Sequence, residues 1–380
     1  MFLRSTPPSI ASIASTATLV ATLSLAALTS ACGHGSTSAC TPGSAGATSG
    51  EFPASVHDFC MVSVQGGAVV AKEGVVPYDL NTPLFSDYAV KYRTVWMPPG
   101  AQVAYVPDGR FEFPVGTVIT KSFGFPADFR APNATTSGVH WVETRVLLRG
   151  QNGWTGTSYT WDDAQAEASI AAGGEVVSLS FIDTHGVTQT PSYLVPSQAE
   201  CKKCHANDGS MITLGPSAAQ LNRSFTYPGD GGGVENELAH WSRLGLLSGA
   251  PSPEAAPVLP VFDDPSTGDA NSRARAYLQA NCSYCHNGNG EARTSGLRLL
   301  VSETDPYALG VCKPPVAAGK ASAGEQYDVV PGHPEQSILV TRMESVAPSI
   351  AMPELGRSLE HVEAVQVVSD WITGMDGGCP

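Results

Sequence analysis

Two stretches decide how this chain folds: Cys201-Lys202-Lys203-Cys204-His205 and Cys282-Ser283-Tyr284-Cys285-His286. Each places two thiols three residues apart and an imidazole directly after them, which is the pattern of a c-type haem attachment site. Thiols at positions i and i+3 share one face of a helical turn, where they can add to the two vinyl groups of a porphyrin. The histidine that follows can then bind the iron. The sequence therefore predicts two covalently bound haem c groups.

The paired motif has two other interpretations. Four cysteines in two CxxC pairs can form a zinc site, and a single CxxC pair can be a thioredoxin-like redox centre. Neither gives a role to His205 or His286, and zinc knuckles usually lie closer together in sequence than Cys204 and Cys282 do. We therefore predict covalent haem attachment at Cys201, Cys204, Cys282 and Cys285, with His205 and His286 as iron ligands.

The sixth ligand of the second iron is sought among the methionines that follow His286, because methionine or a second histidine closes a haem iron. The candidates are Met343, Met352 and Met375. Met352 is favoured because a proline follows it and stiffens its loop, and because Ser358 shortly beyond it is a plausible N-cap for a final helix. The alternative is that Met352 is a core methionine.

The first iron has a less obvious partner. Met211 follows His205 by too little chain to round the porphyrin, whereas His240 lies further on, in a predicted helix from Asn236 to Leu247. His240 is the predicted sixth ligand. The alternatives are Met211, an open iron, or a surface role for His240.

The amino terminus has the features of a secretory signal over residues 1–31, because Arg4 is followed by an uncharged stretch through Leu28. The strongest apolar core of this stretch, Leu19 to Leu28, is too short to span a membrane comfortably. Cys32 follows a sequence similar to a lipoprotein cleavage box, so we predict its acylation, with residues 32–50 as a flexible tether. Ordinary cleavage near Ala31 or Ala39 is the alternative. The predicted location is the periplasm, or the outer membrane through a lipid anchor.

The remaining cysteines can pair in such an oxidising compartment. Setting aside Cys32 and the two motifs leaves Cys40, Cys60, Cys312 and Cys379, an even number. Their positions favour disulfides between Cys40 and Cys60 and between Cys312 and Cys379. Free or mispaired thiols are the alternative.

The pattern of the remaining chain predicts an α+β multidomain protein. Alternating apolar runs between residues 51 and 195 predict an amino-terminal β-sandwich-like domain, with strands over Ala101–Val106, Val115–Phe125, Val139–Leu148 and Val176–Ile182 and a turn of helix over Asp162–Ile170. Residues 196–260 form a first haem segment that begins at a capping box, Ser197 to Glu200. Residues 261–380 form a second haem domain. Both are predicted to be mainly α-helical and cytochrome c-like.

Charge excludes one class of partner. The 380 residues carry a formal net charge of −14, so the chain would repel a phosphate backbone. Nucleic-acid binding is not predicted, and the expected partners are redox proteins, together with a membrane at the lipid anchor.

Outside the two haem motifs, several segments resemble a known family. They are Pro77 to Tyr88, Glu143-Thr144-Arg145, Gly215-Pro216, Leu221-Asn222 and Pro331 to Glu335. Together with the two motifs they resemble the two-haem c-type cytochromes of Gram-negative bacteria that join an amino-terminal β domain to a carboxy-terminal cytochrome region. The resemblance covers about residues 55 to 380 and implies covalent haem and an extracytoplasmic location.

Three functions compete at this stage. The favoured prediction is an electron-transfer protein with two low-spin haems. The first alternative is a haem enzyme such as a two-haem peroxidase, whose open iron would need acid–base groups; Glu235 and Glu237 are near enough in sequence to be considered. The second alternative is a binding module built on the aromatics of the β domain, which are Trp96, Trp141, Trp154 and Trp161.

Overall fold

The structure, a computed structural model, describes residues 40–43, 50–228, 233–317 and 319–380. The predicted signal and the acylation site at Cys32 lie outside the described residues, as does most of the tether. Contacts divide the chain into Met1–Ala39 and Cys40–Pro380, and the account below concerns the second unit. None of the helices in the described ranges is long and apolar enough to cross a membrane.

The described part of the region before residue 196 is built from strands and one short 3-10 helix, Val56–Phe59. The strands are β1 (Val62–Gln65), β2 (Ala68–Ala71), β3 (Val76–Tyr78), β4 (Val90–Trp96), β5 (Val103–Ala104), β6 (Val118–Pro126), β7 (Val139–Gly150), β8 (Gly153–Trp161), β9 (Ala168–Ile170), β10 (Glu175–Ser178), β11 (Phe181–Ile182), β12 (Thr188–Gln189) and β13 (Ser192–Val195).

One antiparallel sheet dominates this region, in the order β3-β4-β6-β7-β8-β9. The predicted strands over Val115–Phe125 and Val139–Leu148 are confirmed as β6 and β7. The turn of helix expected over Asp162–Ile170 is wrong. The Asp162 carboxylate instead accepts hydrogen bonds from the amides of the turn that follows it, and the chain returns as β9 beside β8.

The sheet is covered on both faces, but within the described ranges it is not covered by a second large sheet, as a sandwich would require. On one face Val118, Val146 and Tyr159 pack with Val62 and Val69 of the β1–β2 hairpin. The other face is covered by residues of the first haem segment. Val95, Ile119 and Trp154 of the sheet pack in one core with residues from that segment, which are Leu221, Leu238 and Trp241. The β region and the first haem segment therefore share one core.

After residue 196 the described elements are short. They are α1 (Gln198–His205), β14 (Ala206–Asn207), β15 (Ser210–Met211), α2 (Ala218–Leu221), β16 (Ser224–Thr226), β17 (Val234–Asn236), α3 (Glu237–Arg243), β18 (Leu247–Ser248), α4 (Ala270–Asn281), α5 (Ile338–Glu344) and α6 (Val362–Thr373). Single turns of 3-10 helix lie at Pro253–Ala255, Arg293–Ser295, Gly319–Ser322 and Pro334–Gln336.

The prediction of mainly α-helical haem domains is therefore wrong. The longest described helices, α4 and α6, have 12 residues each, and strand outweighs helix over the described chain. The sequence offers the reason: 39 Gly and 29 Pro interrupt helices, because Pro lacks an amide donor and Gly loses more backbone entropy on folding than any other residue. Loops fixed by side-chain hydrogen bonds replace the expected helices.

A second core lies within residues 261–380. Tyr277 and Leu278 of α4 pack against Val368, Trp371 and Ile372 of α6. Val365, Val368 and Ile372 lie on the buried face of α6, whereas Val362 is 53% exposed. The helix begins after His361, not after Ser358.

Candidate functional site

The first haem motif lies on α1, which begins at the predicted capping box. The Ser197 hydroxyl accepts a hydrogen bond from the Glu200 amide (3.2 Å), and the Glu200 carboxylate accepts one from the Ser197 amide (2.9 Å). This confirms the capping box. It starts the helix so that Cys201, Cys204 and His205 fall in its last turns. Both cysteines are free thiols.

These three residues line a cavity of about 530 Å³, within the range of small-molecule and cofactor sites. The Nδ1 atom of His205 lies 2.7 Å from the Ile212 carbonyl oxygen, so Nδ1 carries the proton and Nε2 keeps its lone pair. Burial lowers the pKa of His205 to about 4, so the ring is neutral at physiological pH. A neutral imidazole whose second nitrogen is fixed by a carbonyl is the form that binds a metal.

The second haem motif follows α4 directly, and Cys282 is the residue that ends the helix. The helix is capped at Asp269, whose carboxylate accepts a hydrogen bond from the Ser272 amide (2.8 Å). A further turn is closed by the His286 amide, which donates to the Cys282 carbonyl (2.9 Å). Cys282 and Cys285 are free thiols as well.

A second cavity of about 620 Å³ is lined by Cys282, Cys285 and His286. His286 resembles His205 in its surroundings. Its Nδ1 atom lies 3.2 Å from the Ser295 hydroxyl, and burial, with the charge of Arg342 adding to it, lowers its pKa to about 4. Both motif histidines are thus neutral and oriented through one nitrogen.

Two of the three candidate methionines line the second cavity. Met343 does so from the core, where it is 6% exposed, and Met352 from the loop between α5 and α6; Met375 does not line it. The Met352 loop is held firmly, because the Met352 amide donates to the Arg342 carbonyl and its carbonyl accepts from the Arg357 guanidinium (both 2.9 Å). The placement agrees with Met352 as a ligand and leaves Met343 as the alternative.

His361 is a residue that the sequence analysis missed. It lines the second cavity, stacks on Phe85 with ring centroids 4.0 Å apart, and places Nδ1 3.1 Å from the Tyr277 hydroxyl. No motif surrounds it. The one feature of the sequence that could have indicated His361 is its position just before the last helix. The loop that carries Met352 is expected to lead into that helix.

The structure does not place His240, the predicted sixth ligand of the first iron, beside the first haem motif. His240 stacks on Tyr227 with centroids 3.4 Å apart, its Nδ1 lies 2.7 Å from the Glu235 carboxylate, and it lines neither cavity. The helix α3 carries Leu238 and Trp241 into the core beneath the sheet instead. Met211 lines neither cavity either. Among the described residues, no methionine and no histidine besides His205 lines the first cavity.

The two cavities share a wall. Six residues line both of them: Cys204, Asn281, Tyr284, Pro353, Leu355 and Arg357. The two motif segments also touch directly, since the Asp208 amide donates to the Asn289 carbonyl at 3.4 Å. Groups held in the two cavities would therefore be neighbours.

The segment Pro77 to Tyr88, one of those that carry the family resemblance, ties these parts together. The Phe85 amide donates to the Asn281 side chain (2.7 Å) beside the second motif. The Thr82 backbone amide donates to the side-chain oxygen of Gln220 (2.9 Å), and the side-chain nitrogen of Gln220 donates to the Thr82 carbonyl (2.7 Å). The Asp87 carboxylate accepts from the amides of residues 358 and 359 (2.7 and 2.8 Å), which fixes the loop ahead of α6. Ser358 is therefore a partner of Asp87.

The remaining predicted cysteine pairs are confirmed: Cys40 is bonded to Cys60, and Cys312 to Cys379. Over the described residues no group of three or more His, Cys, Asp or Glu side chains forms a separate metal site. Comparison with family models, curated proteins and solved structures found no match to this chain.

Proposed function

We propose that this chain is an exported two-haem c-type cytochrome that passes single electrons between redox partner proteins. The observation that carries the proposal is the wall shared by the two cavities, because electron transfer between cofactors becomes fast only when they are close. Each cavity also brings two free thiols and a neutral, oriented imidazole to one place. When bound, each haem would supply an iron that gains or loses one electron.

The residues of the chain have distinct tasks in this proposal. Cys201, Cys204, Cys282 and Cys285 would hold the porphyrins, and the two motif histidines would bind the irons. Met352, on its fixed loop, would close the second iron and raise its reduction potential relative to a second histidine. Tyr284 and Leu355 of the shared wall would exclude water between the two groups. The net charge of −14 favours a partner with a basic contact surface and an exchange rate that falls with added salt.

One observation favours a second candidate, a haem enzyme with an open first iron. With His240 and Met211 placed elsewhere, the described residues offer the first cavity no methionine and no second histidine. An iron left open there could bind a small molecule, as in the peroxidase alternative.

Carbon monoxide separates the two candidates, since it binds a reduced haem iron only where the sixth position is open or weakly held. The test records optical spectra of the reduced holoprotein with and without the gas, then measures hydrogen peroxide turnover with a reduced donor. The relay predicts rapid oxidation by a partner protein and no sustained peroxide turnover. Carbon monoxide binding at one haem, with turnover on the order of ten per second, would favour the enzyme instead. The double variant Cys282→Ala, Cys285→Ala shows which haem responds.

A further inference from the structure

The β sheet contributes a row of positive charge to the wall of the first cavity. Arg93 on β4 lies directly opposite Lys121 on β6, which lies directly opposite Arg145 on β7. All three side chains line the cavity. Like charges placed directly opposite one another across strands destabilise a sheet. Negatively charged groups next to these three side chains would offset that repulsion.

The described acidic residues form ion pairs with only two of the three basic side chains. Asp79 pairs with Arg93 and Glu143 with Arg145, each at 2.5 Å. The Lys121 ammonium has no ion pair or hydrogen bond with the described residues, and it lies 4.7 Å from the centre of the Phe123 ring. The Arg93 side chain is 3% exposed, yet its Nε and Nη2 atoms have no hydrogen-bond partner among the described residues. A buried guanidinium with two unused donors requires an acceptor.

The two cavities differ in charge. The first is lined by five cationic residues and one anionic residue, namely Arg93, Arg110, Lys121, Arg145 and Arg357 against Glu200. The second is balanced, with Lys203, Arg342 and Arg357 against Glu291, Asp328 and Glu354. In a chain of net charge −14, positive charge has been concentrated at the first site.

We propose that the row Arg93, Lys121 and Arg145 binds the propionate carboxylates of the first haem. This inference rests on the proposed function. Arginine donors match a carboxylate in pairs, and lysine adds a point charge, so the row suits such a ligand. The β sheet is then a wall of the haem site, which agrees with the core it shares with the first haem segment. A small external carboxylate would satisfy the same donors and is the competing source.

The test uses the holoprotein and the variant Lys121→Gln, with Lys91→Gln as the matched control. Lys91 lies on the same face of the sheet and donates to the Ala89 carbonyl (2.8 Å), but it does not line the cavity. Resonance Raman spectra report the propionate bending modes, which move when a propionate loses a charged donor. We expect a shift in one haem's propionate mode in Lys121→Gln, no shift in Lys91→Gln, and recovery in Lys121→Arg. Unchanged modes in Lys121→Gln would overturn the inference.

A titration of the ferric holoprotein with sodium formate distinguishes the two sources. Propionates seated on the row predict no saturable change in the wild-type spectrum. A saturable formate-induced change that Lys121→Gln abolishes would assign the row to an external carboxylate and overturn the propionate assignment. Haem content separates failure of this inference from failure of the proposed function: unchanged modes in a protein with two haems refute only the inference, whereas a wild-type protein without haem refutes both.

Discussion

Replacing Glu237 with glutamine should remove one large contribution to the pH dependence of stability, a contribution that lowers the free energy of unfolding as pH rises. The Glu237 side chain is fully buried in the core between sheet and α3. One oxygen accepts from the Asp79 amide (2.9 Å) and the other has no partner. Burial raises the pKa of Glu237 from 4.5 to about 8. The native protein therefore keeps this proton where the unfolded chain has released it, so the contribution of Glu237 to the free energy of unfolding falls as pH rises from 4.5 towards 8.

The size follows from the shift. A change of about 3.5 pKa units at about 1.4 kcal/mol each corresponds to about 5 kcal/mol over that pH range. Glu237→Gln keeps an oxygen for the Asp79 amide and cannot ionise, so its free energy of unfolding minus that of the wild type should rise by about 5 kcal/mol between pH 4.5 and 8. Denaturant unfolding of both proteins at unit pH steps, followed by far-ultraviolet circular dichroism, measures this.

Glu235→Gln is the matched control, because hydrogen bonds from Arg243 and then His240 lower the pKa of Glu235 to about 2. Glu235 contributes stability above pH 4.5 that is lost as pH falls towards 2. Its variant should alter the acid limb alone and leave the slope from pH 5 to 8 unchanged. The reasoning fails if Glu237→Gln retains the wild-type slope over that range.

Three further predictions concern the second haem domain. Met352→Ala should abolish the weak far-red absorbance band that sulfur ligation gives to ferric haem, whereas loss of the band in Met343→Ala alone would reassign the ligand. Asp87→Ala should lower the free energy of unfolding by about 3 kcal/mol, since it removes the acceptor of three hydrogen bonds from the loop before α6; Asp87→Asn, which retains one acceptor oxygen, should cost less than half as much. Serine at Cys312 and Cys379 opens a loop with a sequence separation of 67, so denaturant unfolding should show a loss of about 4 kcal/mol, and an unchanged midpoint would refute the chain-entropy argument.

Local features of the sequence were predicted well. The capping box at Ser197, the strands β6 and β7 and both disulfides follow from spacing or alternation within short stretches. The strand β8 was missed because its glycines weaken the alternating pattern. The helix expected after Asp162 failed because pairing of β9 with β8 outweighs local propensity.

The features that matter most for function depend on contacts distant in sequence. Tyr284 and Cys204 both line the shared wall although they are far apart in the chain. No local sequence pattern predicts that these two residues lie close together. Arg93, Lys121 and Arg145 look in sequence like ordinary solvated charges, and only the register of three strands aligns them. The surroundings of His240 could not be predicted for the same reason, because its stacking on Tyr227 depends on tertiary packing.

The most direct test of the account is the mass of the chain after denaturation and acid–acetone extraction, which removes haem that is not covalently attached. Expressed with haem ligation machinery, the wild-type protein should retain the mass of two haems, and the double variant Cys282→Ala, Cys285→Ala the mass of one. A wild-type chain that emerges at its polypeptide mass, with the colour in the organic phase, would contradict the central claim.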